Sequence, residues 1–126
     1  MLMMNKVLGA TLLSLAALGF NAAQAHGPAV AKHGGTLQTA SDLSFELVAT
    51  ADGAVIYVED HGKPMATAGL KGKLTVLNGD QKSEAELVAA GDKLEAKGVK
   101  LTSGAKAVAS LATSSGRAMT VRFTVK

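Results

Sequence analysis

The chain has 126 residues, with 13 Lys and Arg against 10 Asp and Glu, a net charge of +3 and no cysteine. The lack of cysteine excludes disulfides, thiolate metal sites and a thiol nucleophile together. The lysines are scattered, and the basic stripe with stacking aromatics that grips nucleic acid is missing, so no nucleic-acid partner is expected.

Residues 1–25 read as a cleavable leader. Lys6 supplies the positive start, residues 7–20 form an apolar run rich in Leu and Ala, and Ala23-Gln24-Ala25 matches a small-x-small cleavage site. The run is short for a membrane span, so the expectation is export to a bacterial periplasm with no stable membrane insertion after cleavage. Cleavage after Ala25 would make His26 the new terminus, where its amine and ring can chelate one metal ion. Pro28 lacks an amide proton, which excludes the amino-terminal copper site that needs His in third place. Residues 26–35, carrying His26 and His33, read as a flexible tail.

Residues 36–126 read as one β domain, large enough for a modest core. Thr36-Leu37-Gln38 begins a first strand and Ser41-Asp42 turns it. Residues 44–64 then form the central hairpin, with Asp52-Gly53 between two β-patterned runs as the expected two-residue loop. That register sets Leu47 against Val58, Ala49 against Ile56 and Glu46 against Glu59. His61 follows Glu59 at a spacing of two, hence on the same face. Opposed carboxylates need a cation between them, whether a Lys such as Lys63 or Lys73, a protonated His or a metal ion.

Gly62 and Pro64 end the hairpin, and residues 65–70 are ambiguous, with a short edge strand as one reading. Residues 72–77 and 83–88 pair across Asn78-Gly79-Asp80-Gln81, placing Leu74 opposite Ala85. A short strand follows at residues 93–96. In the last hairpin a three-residue loop, Ser114-Ser115-Gly116, sets Leu111 against Met119, Ala109 against Val121 and Ala107 against Phe123. No amphipathic helix appears after the leader. About seven short strands with evenly spaced turns indicate an antiparallel β-sandwich of immunoglobulin-like type, with a small closed barrel as the rival.

No catalytic motif appears: there is no phosphate-binding glycine loop, no Gly-x-Ser-x-Gly elbow and no His-Glu-x-x-His helix. An enzyme is not expected. Imidazoles with carboxylates suit copper, zinc, nickel or cobalt. The candidate metal ligands are His26, His33 and His61, completed by Glu46 or Glu59, with Asp60 next and Met65 as a soft donor. Copper or zinc fits this set best.

Three stretches carry a resemblance. His33-Gly34-Gly35, Phe45-Glu46-Leu47-Val48 and residues 57–64, with the closing residues 104–108 and 121–125, resemble the extra N-terminal segment of some periplasmic adaptor subunits of RND heavy-metal efflux pumps (CzcB-like) and related small exported proteins. The resemblance implies a periplasmic, metal-linked β domain with His33 and His61 as the positions carried over. No adaptor coiled coil, lipoyl-like or barrel domain is patterned up to Lys126, so binding, buffering or delivery is expected rather than the adaptor role. The function expected is that of a monomeric periplasmic metal buffer or chaperone linked to efflux. The alternative is a metal-free module that docks by strand edges on an efflux adaptor or another envelope protein.

Overall fold

A computed structural model describes residues 29–126; the expected leader and His26 lie outside the described residues. Nine strands form among the described residues: β1 (Thr36–Ala40), β2 (Leu43–Thr50), β3 (Gly53–Asp60), β4 (Lys63–Pro64), β5 (Lys71–Asn78), β6 (Gln81–Ala90), β7 (Lys93–Lys97), β8 (Lys106–Ala112) and β9 (Ala118–Thr124). Every pairing is antiparallel and no helix occurs among the described residues, so the all-β antiparallel expectation holds. Nine strands replace the expected seven or so, partly because short pieces such as the two-residue β4 also pair.

The strand order is β1-β2-β3-β7-β6-β5-β8-β9, with β4 against the end of β3. β6 joins the two halves. Its residues 81–87 pair with β5, and its residues 88–90 pair with β7. A strand that changes partner in this way turns a corner, as in orthogonally packed sheets. The sheet thereby curls until its outer strands meet, and the Lys126 N–H donates to Thr36 Oγ1 at 3.2 Å. The result is a nearly closed barrel.

Period-two alternation explains the core. Phe45, Leu47, Ile56, Val58, Leu74, Val76, Leu94, Ala107, Ala109, Val121 and Phe123 all point inward and are buried in one cluster. Residues 65–70 form a loop rather than an edge strand. Buried Thr67 anchors it, its hydroxyl shared between the carbonyls of Gly91 (2.9 Å) and Lys93 (3.0 Å). Met65, considered above as a soft metal donor, packs against the core.

Two of the three hairpin registers follow the sequence reading. Leu74 faces Ala85 in β5–β6, and Leu111, Ala109 and Ala107 face Met119, Val121 and Phe123 in β8–β9. Gly116, at φ +90°, fills the left-handed loop position there. The central hairpin is corrected by two residues: Thr50 pairs with Gly53, and the loop is Ala51-Asp52. Leu47 therefore faces Ile56 and Phe45 faces Val58. Glu46 faces Tyr57 instead of Glu59, and Glu59 faces Ser44.

The cause is that Gly53 serves packing rather than turning. Its φ is not positive, and a Cβ there would collide with the Ala96 carbonyl and reach Lys97 Cα at 2.9 Å on β7. Turns with two positive φ angles lie instead at Ser41 (52°) and Asp42 (64°), between β1 and β2, and at His61 (53°) and Gly62 (81°), between β3 and β4. A shift of two preserves the side-chain parity, so the inward and outward faces of the hairpin stand as read.

Candidate functional site

The outward face of β2–β3 is where the candidate residues gather. The chain ahead of β1 lies back over it, and Glu46 is what holds it there. Its Oε1 accepts the Lys32 N–H at 2.9 Å and faces His33 Nδ1 at 3.1 Å. Its Oε2 accepts the N–H groups of His33 and Gly35, both at 2.8 Å. Successive N–H groups around a left-handed residue, here Gly34 at φ +73°, form a concave anion seat. Glu46 fills that seat from the adjacent strand.

All four acceptor directions of this carboxylate are thus used within the protein. Its side chain is 5% exposed. Burial pushes the Glu46 carboxyl up, but the N–H groups of Gly35 and Lys32, then the ring and N–H of His33, outweigh it. Together they hold it below its ordinary value of 4.5. Gly35 admits the close approach, because a Cβ there would meet the Leu47 carbonyl and come within 2.8 Å of the Val48 side chain.

His33 is fixed from two sides. Its ring stacks on Tyr57, with centroids 3.6 Å apart and planes 3° from parallel. A carboxylate only accepts, so the contact with Glu46 requires the proton on His33 Nδ1; in the neutral ring Nε2 then carries the lone pair. Lys93 Nζ lies 5.9 Å from the Tyr57 ring centre.

Glu59 is neutralised by Lys32, with Nζ 3.0 Å from Oε2, and not by Lys63 or Lys73. The same Nζ donates to the Gly62 carbonyl at 2.8 Å. One lysine therefore ties the segment bearing His33 to the turn bearing His61. In that turn His61 has φ 53°, and its Nδ1 lies 2.6 Å from Asp60 Oδ1, both side chains being largely exposed.

The structure thus brings together His33, Glu46 and Tyr57, and links them through Lys32 to Glu59 and the His61 turn. Among the described residues, no three His, Asp or Glu side chains form a group that could hold a metal ion. His26 lies outside those residues. Sequence reasoning missed Lys32 as the bridging cation and Tyr57 as the surface on which His33 stacks. Both contacts arise from the fold-back of the tail, whose only sequence signal was Gly34-Gly35. Comparisons with protein-family models, with curated proteins and with solved structures find no match.

Proposed function

We propose that this protein binds a divalent transition metal, copper or zinc by preference, in the bacterial periplasm, as a buffer or chaperone linked to heavy-metal efflux. One observation carries the reading: both described histidines have Nδ1 against a carboxylate, His33 against Glu46 and His61 against Asp60. Metal-bound imidazoles are commonly oriented in this way, the carboxylate fixing the tautomer and raising the basicity of the ligating nitrogen. Glu46 and Asp60 take the orienting role here, while His33 and His61 supply nitrogen donors from the two segments that Lys32 links. A further donor comes from His26 or from water. The leader pattern and the resemblance to the efflux-adaptor segment point the same way.

The test is calorimetric titration of the processed protein with Cu(II) and Zn(II). His33→Ala and His61→Ala should each weaken binding at least about tenfold, and Glu46→Gln by a comparable factor, as loss of an orienting partner does. Lys97→Ala, remote from the site, should leave affinity unchanged. Equal affinity in the wild type and both histidine variants would refute the site.

A further inference from the structure

The outer face of β6-β5-β8-β9 has a composition unlike that of the histidine-bearing face. Pairing registers lay its outward residues on a grid. One row is Lys82, Leu77, Lys106 and Thr124; the next is Glu84, Thr75, Val108 and Arg122. A third holds Glu86, Lys73, Ser110 and Thr120, and the last Lys71, Ala112 and Ala118; Val88 lies at the margin, where β6 leaves β5 to pair with β7. Five basic residues therefore stand against two acidic ones, and all seven are exposed.

The two carboxylates lie on β6, and Glu84 already pairs with Lys73 (3.7 Å) and Lys82 (3.5 Å). Among the described residues, Lys71, Lys106 and Arg122 form no ion pair. Positive charge is therefore in excess across β5, β8 and β9. A second observation concerns apolar side chains. The exposed large hydrophobic residues among those described are Val30, Leu77 and Val88; Leu77 stands on this face between Lys82 and Lys106, and Val88 at its margin beside β7.

We infer that this face docks on the surface of an anionic phospholipid bilayer. Basic side chains near such a surface attract its headgroups, and the exposed Leu77 and Val88 lose water against it. A sheet face also presents its charges together, as a bilayer surface requires, where a lone lysine would not. The contact is peripheral: hydroxyls and charges cover most of the face, and no strand of it needs to leave the sheet. The two halves pack core to core, so docking would leave the His33 and His61 face turned away from the lipid.

The experiment is flotation of the processed protein with phosphatidylglycerol–phosphatidylcholine vesicles, with pure phosphatidylcholine vesicles as the control. The wild type should float with the anionic vesicles at low ionic strength and be released as salt is raised. Each basic residue at an anionic surface is worth about fivefold in partitioning. Lys71→Glu with Arg122→Glu should therefore lower binding by roughly tenfold or more. Lys63→Glu with Lys97→Glu, which changes the net charge equally on the other half, should change it by less than about twofold.

Circular dichroism establishes that each variant is folded. Should the charge-reversed pair not fold, Lys71→Gln with Lys106→Gln replaces it, and loss of flotation is again expected. Absence of flotation by the wild type, equal binding to neutral vesicles, or equal loss in both variant pairs would overturn the proposal. So would flotation replaced by self-association that grows with protein concentration, since that assigns the face to a second copy of the chain.

Discussion

Glu46 shows how much one side chain can organise. A carboxylate on a strand is ordinarily solvated, yet this one is buried and satisfied by three backbone N–H groups and a histidine ring. Hydrogen bonds to charged groups are among the stronger ones, and a buried N–H left without an acceptor is costly. Glu46→Ala should destabilise the domain by about 2–3 kcal/mol in denaturant unfolding. It should also open the Lys32 peptide bond to trypsin; unchanged stability with Lys32 still protected would disprove the clamp. The folded carboxyl titrates below its ordinary value, so its contribution is present above about pH 4.5 and is lost as pH falls through the lower folded value. Near-ultraviolet dichroism of Tyr57, the single tyrosine, reports this through its stack with His33. The signal should fall in that acid range in the wild type and lack that step in Glu46→Gln. Little of this role was legible in the sequence. The acceptor was visible, but its donors are backbone N–H groups, which no residue type announces.

At the scale of the element, the hairpins separate what pattern can decide from what it cannot. β5–β6 and β8–β9 pair as read because apolar alternation and loop length agree on one register. In β2–β3 the Asp-Gly signal misplaced the loop, since glycine has two structural uses and only one concerns turns. Gly53 sits where β7 passes, and removal of its close approach has a measurable cost. Gly53→Ala should destabilise the protein by about 2–3 kcal/mol through overpacking against β7. Gly79→Ala meets only open space but carries φ +64°, and should cost about 1 kcal/mol. A larger loss at Gly79 than at Gly53 in matched denaturant titrations would contradict this assignment.

Across the whole molecule, the sheet has an interior and an edge even though it nearly closes. β3 is paired on both sides by β2 and β7, and β5 by β6 and β8, whereas β1 and β9 each have one ladder. Amides of β3 and β5 should therefore exchange with solvent only through global unfolding, while those of β1 exchange roughly tenfold or more faster. Uniform protection across β1, β3 and β5 would mean that the seam between β1 and β9 is a true ladder. The same topology divides labour between faces: Glu46 and Asp60 lie on β2 and β3, with His33 folded back beside Glu46 and His61 in the turn after β3, and the excess of basic residues lies on β5, β8 and β9. Docking by strand edges, the alternative drawn from sequence, has less to work with, because the curled sheet brings its two edges against each other.

The sequence by itself determined the all-β class, most strand positions, the inward faces of β2, β3, β5, β8 and β9 and two of the hairpin registers. Each of these follows from period-two alternation and local turn chemistry, which act over a few residues. It also marked His33, His61, Glu46 and Glu59 as chemically notable. Only the tertiary structure decided which of them meet. The partner change along β6, the passage of β7 beside Gly53 and the return of Lys32–Gly35 over Glu46 join residues far apart in the chain. Such contacts depend on how the sheet curls to bury one core, and curvature of that kind is set by the packing of all strands together rather than by any local stretch.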